Sequence, residues 1–494
     1  MDKNERVKDD NLPRNKSLDE KQAANQAENN KPPDDRSMTA LIREKLADEN
    51  FLERLAEAAM GRRSSDSKDM DENIRDSQLE AWASESKMKI DAAPENPDHW
   101  FHYGVAVASL GRRQEAEKAF EKAVELGPRH VKAWYWLGMI RNNMDRDSDA
   151  LEAHEKATEL APDWARPWCD KALSLAKLGR YEEAGEAFDE SLKLDDKDVF
   201  AWANKGYMLR EAGRLEEALG AFTKAIELDK DSADAWDSKG DVLRTMGRLD
   251  EAIQCFEEAV RLKPDYAGGW HNLGHAFFIQ GNYAESIQPL DKAIALSYPE
   301  PKSHVMKVVA LGQLDQLEKA IEVCDDGLNK WDDVELFRLK SGLLGMLKRH
   351  EECLAVVNQA IEIGFTDDEM LIWKGATLIE LKHFEKALTQ FNEVLDRTSG
   401  NLQARGGRAY CLCKTGKLDE GKQEIDQVVE DNPTDARSWY TRSHIYVSLE
   451  DKVEMLASLE KAIQLEPELA QEAPGEDEFG SYRDLPEFEA IVKK

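Results

Sequence analysis

The sequence has few cysteines and no long apolar segment. Only six of its 494 residues are cysteine, and none has the spacing of zinc ligands or of a disulfide framework. No apolar run approaches the roughly 18 residues of a membrane-spanning helix, and residues Met1–Asp10 lack the apolar stretch of a secretory signal. These absences predict a cytoplasmic protein whose thiols are buried and reduced.

Basic residues are also scarce. Lys and Arg together number 67 against 99 for Asp and Glu, which gives a formal net charge of −32. Phosphate backbones and anionic lipids repel such a chain unless it carries a local basic stripe, and the sequence has no such stripe. We therefore expect neither nucleic acid nor a membrane as a partner, whereas the oligomeric state stays open.

The motifs of common enzymes are missing. The sequence contains no Gly-rich phosphate loop, no His-Glu-x-x-His and no Gly-x-Ser-x-Gly. His271 and His275 are four residues apart and could place two ligands on one metal ion, but the sequence fixes no third ligand nearby. We prefer to interpret them as a polar pair that faces a groove. The sequence thus predicts a protein that is not an enzyme and has no metal and no cofactor.

The sequence does contain one tryptophan every 34 residues. Six tryptophans form this ladder: Trp100, Trp134, Trp168, Trp202, Trp236 and Trp270. Only twelve tryptophans occur in the whole chain, and random placement would not space them so regularly. A fixed period of this size indicates a repeat protein.

The repeating unit is clearest in Ala233–Tyr266. Apolar residues at helical spacing predict two amphipathic helices, which are broken at Gly247 and end before Pro264. Gly240 at position 8 and Ala252 at position 20 of the unit are small. A bulkier side chain at either place would overpack the junction, so we expect the two helices to approach closely there.

This pattern resembles the tetratricopeptide repeat family, whose second helix carries small, aromatic and small residues in turn. The same frame fits eleven units, which start at Pro97, Val131, Ala165, Val199, Ala233, Ala267, Pro301, Val334, Asp368, Leu402 and Ala436. The resemblance implies an all-α, right-handed α-solenoid (superhelix) without an attached catalytic domain. Repeats 1–6 would occupy residues 97–300, repeats 7–11 residues 301–469, and a C-terminal capping helix residues 470–494.

Four segments precede the repeats. Residues 1–37 are polar and nearly balanced in charge, which predicts a disordered tail. Residues 38–61 carry apolar side chains at helical spacing, which predicts an amphipathic helix. A linker over residues 62–77 and an N-terminal capping helix over residues 78–96 would follow. The amphipathic helix could dock on a partner or fill this chain's own groove as an autoinhibitor, and the sequence leaves both alternatives open.

The pattern is weakest after the sixth unit. Pro289 falls inside a second helix, where a proline removes a backbone donor and should kink or shorten the helix. Pro299 and Pro301 follow, and the unit that begins at Pro301 has 33 residues instead of 34. These departures predict a hinge or an altered superhelical step near residues 289–333.

The resemblance implies a peptide-binding groove lined mainly by positions 2, 5, 6, 9, 12 and 13 in the first helices of the repeats. The side chains that we expect to line it are Tyr135, Trp136, Asn142, Asn143, Asn204, Tyr207, Arg210, His271, Asn272, His275 and Phe278. Asn204 and Asn272 both occupy position 6. They resemble the asparagines that hold an extended peptide backbone in the repeat array of the O-linked glycosyltransferases. Aromatic, amide and Arg side chains are typical anchors of protein interfaces.

The predicted function follows from this groove. We expect a non-catalytic scaffold for protein–protein interaction that binds an extended peptide or a partner protein. A neutral extended segment would run along repeats 2–6, with its backbone held by the two asparagines and one acid bound by Arg210. The alternative is a regulatory or targeting subunit of an enzyme complex that docks through residues 38–61.

Overall fold

The computed structural model describes residues 72–493, and all regular structure in that range is helical. The predicted tail (1–37) and the predicted amphipathic helix (38–61) lie outside the described residues and stay predictions. The fold is an all-α solenoid of helix pairs, as the resemblance implied. The chain divides into two compact units between Ala221 and Phe222, and each is described separately.

The first unit begins with a long helix that packs against the first helix pair. This helix starts at Glu72, so the prediction of a linker up to residue 77 is wrong in its last six positions. On one face of this helix Leu79, Ala83 and Ile90 are buried. The helices of this unit are α1 (Glu72–Ala92), α2 (Pro97–Ser109), α3 (Arg113–Leu126), α4 (Val131–Asn142), α5 (Asp147–Leu160), α6 (Ala165–Lys177), α7 (Tyr181–Leu194) and α8 (Val199–Glu211); the division falls within α9 (Leu215–Leu228).

The second unit continues the same alternation of first and second helices. Its pairs are α10 (Ala233–Thr245) with α11 (Leu249–Leu262), α12 (Ala267–Ile279) with α13 (Tyr283–Ala295), α14 (Lys302–Gln313) with α15 (Leu317–Leu328), α16 (Val334–Met346) with α17 (His350–Glu362), α18 (Asp368–Glu380) with α19 (Phe384–Arg397), α20 (Leu402–Lys414) with α21 (Leu418–Asp431), and α22 (Ala436–Ser448) with α23 (Lys452–Leu465). Each first helix begins at the first residue of the predicted unit, except α14, which begins one residue later, at Lys302.

Glycine at position 8 lets a large ring pack between the helices of a pair. A Cβ atom on Gly104 would lie 2.6 Å from the ring of Phe120, and one on Gly240 would lie 2.7 Å from Phe256. Both phenylalanines are fully buried. The close approach predicted from Gly240 is therefore present, and the partner that requires it is the aromatic residue at position 24.

The tryptophans of the ladder tie each first helix to the loop before it. The indole N–H of Trp236 donates to the backbone carbonyl of Lys230, six residues earlier, at 3.1 Å. The same bond, at 2.8–3.1 Å, is made by Trp100, Trp134, Trp168, Trp202, Trp270 and Trp439. Trp236 is half-buried. The ladder thus serves as a loop anchor in addition to its contribution to the core.

Position 15 has a left-handed backbone in every repeat. Gly247, which was predicted to separate two helices, has φ +76°, a conformation that costs glycine no steric energy. In several later repeats another residue occupies this position, for example Lys348 and Lys382, with φ +56° and +60°. These repeats keep the turn although their side chains disfavour it.

The prolines of the sixth repeat do not break the helices. Helix α13 runs continuously through Pro289 and has 13 residues, one fewer than α11. The division between the compact units lies at Ala221 and Phe222, away from the hinge predicted near residues 289–333. That hinge stays a prediction.

The residues after α23 form several short elements, so the prediction of one capping helix over 470–494 is wrong in this detail. They are α24 (Leu469–Glu472), two single 3₁₀ turns (Ala473–Gly475 and Asp477–Phe479) and α25 (Pro486–Val492). Two prolines and two glycines interrupt the helical pattern here. We call residues 469–493 the C-terminal segment; its Phe479 and Phe488 are buried.

Candidate functional site

The first helices of repeats 2–4 line a cavity of about 410 Å³. We call it the amide pocket, because three asparagines belong to its wall. The complete lining is Met139, Asn142, Asn143, Asp170, Leu173, Ala176, Lys177, Tyr181, Phe200, Asn204, Tyr207, Met208 and Glu211. Four of the eleven residues predicted for the groove therefore meet in one place: Asn142, Asn143, Asn204 and Tyr207.

Asn142 is held in place by its neighbours. Its side-chain oxygen accepts a hydrogen bond from Ser174 Oγ at 3.1 Å, and its Nδ2 atom lies 3.3 Å from His154 Nε2. His154 occupies position 24, where most early repeats have phenylalanine, and is fully buried. The amide of Asn142 thus joins a polar group in the core to the wall of the pocket.

Asn204 presents its amide differently. Its Nδ2 atom donates to the carbonyl of Phe200 at 2.8 Å, one turn earlier in α8. Within residues 72–493 its side-chain oxygen has no hydrogen-bond partner. This bond orients the amide and leaves an acceptor that a ligand N–H could use.

The floor of the pocket is apolar and one wall is an exposed aromatic ring. Met139, Leu173 and Met208 contribute the floor, while Phe200 is 42% exposed. An exposed aromatic side chain beside other apolar groups often marks a binding surface. The combination of apolar floor and fixed amides is typical of sites that bury a ligand and orient it with a few polar groups.

Charged residues of both signs stand at the rim. Lys177 Nζ lies 3.2 Å from Asp147 Oδ1, and Arg210 Nη2 lies 2.9 Å from Glu211 Oε1. The Arg210 guanidinium also lies 5.8 Å from the centre of the Tyr207 ring. Arg210 was predicted to bind one acid of a ligand; here it contacts two residues of its own helix.

Tyr135 and Trp136 were predicted to contact a ligand, and this prediction is wrong. They are 0% and 1% exposed. The Tyr135 ring lies 4.8 Å from that of Trp164, and the Trp136 ring lies 6.1 Å from that of Phe120. Positions 5 and 6 of α4 face the neighbouring helices, and burial of such large rings there is strongly favourable. Both residues belong to the core of the first unit.

The predicted histidine pair lies in the second unit. His271 Nδ1 is 2.8 Å from Ser303 Oγ, and its ring stacks on Tyr298 at 4.2 Å. Burial, followed by the charges of His275 and Lys302, lowers the pKa of His271 to about 4. Burial also lowers the pKa of His275, whose ring centre is 6.0 Å from that of His271. In the described part of the chain no three potential ligands are grouped to hold a metal ion.

Asn272 and Phe278 have partners within the second unit. Asn272 Nδ2 donates to Asp237 Oδ1 at 2.9 Å, and Tyr266 donates to the other oxygen of the same carboxylate at 3.0 Å. Burial raises the pKa of Asp237, although both hydrogen bonds oppose this shift. The Phe278 ring packs edge-on against Tyr283 at 5.5 Å. Asn272 thus supports a buried carboxyl group, a role that the sequence did not indicate.

Nine of the thirteen residues that line the amide pocket were not predicted, and Phe200 and Asp170 are two of them. Phe200 occupies position 2 and Asp170 position 6, which are both positions expected to face the groove. Asp170 is 4% exposed, so it lies at the base of the pocket wall. Reading every groove position within three consecutive repeats would have found both residues.

In residues 72–493 no helix combines the length and apolarity that membrane crossing requires.

Known proteins resemble parts of the chain. Sperm-associated antigen 1 of Homo sapiens is 25% identical over 111 residues, which are 22% of this chain and 12% of that protein. Among solved structures, YrrB, titled a TPR protein with an unusual peptide-binding site, is 23% identical with a TM-score of 0.33 over 38% of this chain and 96% of that one. A tetratricopeptide repeat protein from Parabacteroides merdae is 16% identical with a TM-score of 0.39, covering 50% and 98%.

Family models match most of the repeat region. Models described as tetratricopeptide repeat match residues 106–164, 169–234, 221–254, 267–298, 378–445 and 436–469. A model described as TPR repeat matches residues 240–278. These matches agree with the helix pairs and with the tryptophan period. The chain belongs to the tetratricopeptide repeat family.

Proposed function

We propose that this protein is a non-catalytic scaffold and that its amide pocket binds an extended peptide segment of a partner protein. A role in protein–protein interaction is typical of the family. The observation that carries the finer proposal is the position of Phe200, which is 42% exposed beside fixed amides and an apolar floor. Covering such a ring would remove apolar surface from water.

In the proposed complex the amides of the pocket bind the peptide backbone, and the apolar floor binds one peptide side chain. The free oxygen of Asn204 would accept from a backbone N–H, and the amide of Asn143 could donate to a carbonyl group. One apolar side chain of the peptide would lie over Met139 and Met208, against Phe200. Because Lys177 and Glu211 both stand at the rim, we expect a segment with little net charge.

The test combines peptide selection with a double substitution. Peptides selected from a random library on the full chain should bind the Phe200→Ala/Asn204→Ala variant at least about tenfold more weakly, since a few central anchors dominate most interfaces. Leu194→Ala is the matched control, because Leu194 is 41% exposed in the same unit but does not line the pocket. Equal binding by the double variant, with unchanged helical circular dichroism, would contradict the proposal.

The predicted extension of this surface into repeat 6 is tested separately. Asn272→Ala and Phe278→Ala alter residues that were predicted to contact the same peptide. Asn272 also hydrogen-bonds to Asp237, so its replacement requires a melting curve as well as a binding measurement. Loss of binding without loss of stability would support the longer groove, and loss of stability alone would assign Asn272 to the fold.

The second predicted function, docking through residues 38–61, concerns residues outside the described range. Deletion of residues 1–71 would test it without damage to α1, which begins at Glu72. Tighter peptide binding after the deletion would support a segment that covers this chain's own groove. Loss of an enzyme partner in a pulldown would support a docking element.

A further inference from the structure

The C-terminal segment lies against the first helices of the last two repeats. Its second 3₁₀ turn, Asp477–Phe479, contacts α22. It also reaches α20, because the hydroxyl of Tyr410 donates to Glu478 Oε1 at 3.0 Å. A cap that only covered the last apolar surface would not need to reach back to repeat 10.

Glu478 is bound by two groups of repeat 10. Besides the Tyr410 hydroxyl, Lys414 Nζ lies 3.8 Å from Glu478 Oε1. Burial opposes ionisation of this carboxyl, yet a backbone N–H, Tyr410 and Lys414 together hold its pKa below the usual value. The surroundings of Glu478 therefore favour the charged form of its carboxyl group.

Glu476 and Glu472 are bound by repeat 11. Glu476 Oε2 lies 2.6 Å from His444 Nε2, and Glu472 Oε2 lies 3.0 Å from Arg437 Nη1. Both basic residues belong to α22. Three carboxylates of the segment thus meet hydroxyl, imidazole, ammonium or guanidinium groups of two successive first helices.

An aromatic side chain follows the acidic residues. Phe479 is fully buried, and its ring centre lies 4.8 Å from that of His444 and 6.1 Å from that of Tyr440. Asp477, between the two bound glutamates, is exposed. The segment therefore presents acid, exposed residue, acid and aromatic ring in this order.

The receiving residues occupy positions that the resemblance assigns to the groove. Tyr410 and His444 are at position 9, Lys414 is at position 13 and Arg437 is at position 2. Tyr207, which lines the amide pocket, is also at position 9. The segment thus occupies, in repeats 10 and 11, the face on which a peptide ligand would lie.

We propose that this face of repeats 10 and 11 is a second recognition site, specific for a partner segment with two carboxylates two positions apart followed by an aromatic ring, and that residues 476–479 occupy it as an intramolecular competitor. The contacts argue for this partner, since Tyr410 and Lys414 bind one acid of the pattern, Glu478, and the His444 imidazole contacts the other, Glu476. The proposal does not depend on the amide pocket.

The segment has little regular structure to lose on release, although Phe479 would leave a buried position. Between Leu469 and Phe479 it contains only α24, which has four residues, and two 3₁₀ turns, and such short elements have little stability of their own. Its ion pairs are partly exposed; Arg437 and Glu472 retain 56% and 45% of their side-chain exposure. Pairs of this kind contribute little individually. Helix α25 packs on α23, and its Phe488 ring also lies 5.6 Å from that of Phe479. Release of residues 472–479 would break this ring contact and leave the contact between α25 and α23.

The test uses the full chain and a fluorescein-labelled peptide that copies residues 470–484. Fluorescence anisotropy would compare the wild type with the Glu476→Gln/Glu478→Gln variant. The apparent affinity for the peptide should rise about tenfold or more in the variant, because the intramolecular competitor then occupies the site for less of the time. Asp477→Asn is the matched control, since it removes the charge of the exposed neighbour and should leave the affinity unchanged.

Two further measurements identify the site. Adding Tyr410→Phe and Lys414→Met to the double variant should abolish the gain in peptide affinity. Hydrogen exchange of residues 473–482 should accelerate in the double variant while α25 keeps its protection. Equal peptide affinity in wild type and double variant, or no binding by either protein, would overturn the proposal. Joint loss of protection in residues 473–482 and α25 would also overturn it, because the acids would then only hold a structural cap.

Discussion

Repeats 2–4 and repeats 10–11 use corresponding first-helix positions in different ways. In repeats 2–4 these positions carry amides, methionines and the exposed ring of Phe200, and they surround an open cavity. In repeats 10 and 11 they carry Tyr410, Lys414, Arg437 and His444, which contact acids of the C-terminal segment. The same helix pair can therefore support two ligand chemistries, because the residues that build the core leave the groove positions free to vary.

The comparison also separates how the two regions are stabilised. The amide pocket rests on buried aromatic residues of complete helix pairs, such as Phe120 and Phe188. The C-terminal segment has few helical turns and depends on Phe479 and Phe488 together with ion pairs at its surface. Substitutions in the two regions should therefore differ in size and in how far their effects extend.

The largest difference is expected between two phenylalanines. Phe488→Ala removes a buried ring that packs 5.6 Å from Phe479 and should cost about 3–5 kcal/mol of local stability. Phe200→Ala removes an exposed ring and should cost less than about 1 kcal/mol. Hydrogen exchange should show faster exchange in α23–α25 for the first variant and no change in α4–α8. Equal losses of stability would contradict the proposed difference between the regions.

A smaller difference is expected between two glycines. A Cβ atom at Gly138 would collide with the buried ring of His154, so Gly138→Ala should cost about 1–3 kcal/mol. Gly406 lies inside α20, and beyond its chain neighbours and its own helix backbone no atom lies within 4 Å of the added Cβ, so Gly406→Ala should gain up to about 1 kcal/mol from helix propensity. Urea denaturation of both variants measures these changes. Destabilisation by Gly406→Ala would show that repeat 10 is packed as tightly as repeat 2.

The left-handed turn at position 15 gives a further contrast. Gly179→Ala should destabilise repeat 3 by about 1–2 kcal/mol, because its φ of +74° disfavours a side chain. Lys382→Gly should stabilise repeat 9 by about 0.5–1 kcal/mol, since relief of the same strain exceeds the entropy that glycine adds to the unfolded chain. Thermal melting followed by local hydrogen exchange checks both signs. A loss of stability in Lys382→Gly would mean that the entropy term dominates.

The smallest expected effect depends on pH. The pKa of Glu478 is lower in the folded chain than its ordinary value, so the contact stabilises the segment above that ordinary value of about 4.3. This stabilisation is lost as the pH falls through the lower, folded pKa. It should amount to less than about 1 kcal/mol, because the side chain is partly exposed. The protection factors of residues 473–482, corrected for the intrinsic exchange rate at each pH, should fall on acidification, and Glu478→Gln should remove this dependence.

Much of the fold could be predicted because the residues that form the turns and the close helix contacts recur at the same positions of each repeat. Glycine at position 15 marked the turn, and Gly240 marked the close approach to Phe256. The first helices therefore begin where the frame places them, with α14 displaced by one residue. Each of these features depends on contacts within one repeat, so the sequence of that repeat is enough to predict it.

The candidate sites were predicted less well because they depend on neighbouring helices. The periodicity indicated which face of α4 carries Tyr135 and Trp136. It did not indicate that neighbouring helices cover this face and bury both rings. The contact between Tyr410 and Glu478 joins residues 68 positions apart. One of these partners lies beyond the last repeat, where no period remains to indicate it.

The indole hydrogen bonds have a consequence for protein engineering. Each bond joins a tryptophan to the carbonyl six residues before it, such as Trp134 to Pro128 and Trp168 to Pro162. A repeat module cut at the start of a first helix would separate the indole donor from its carbonyl acceptor. The hydrogen bond at the junction would then depend on the neighbouring module. A module cut ahead of the acceptor, for example residues 128–161, carries both atoms. Repeat libraries made from this chain should therefore be spliced just before the acceptor residue, so that each inserted module brings both partners of this hydrogen bond.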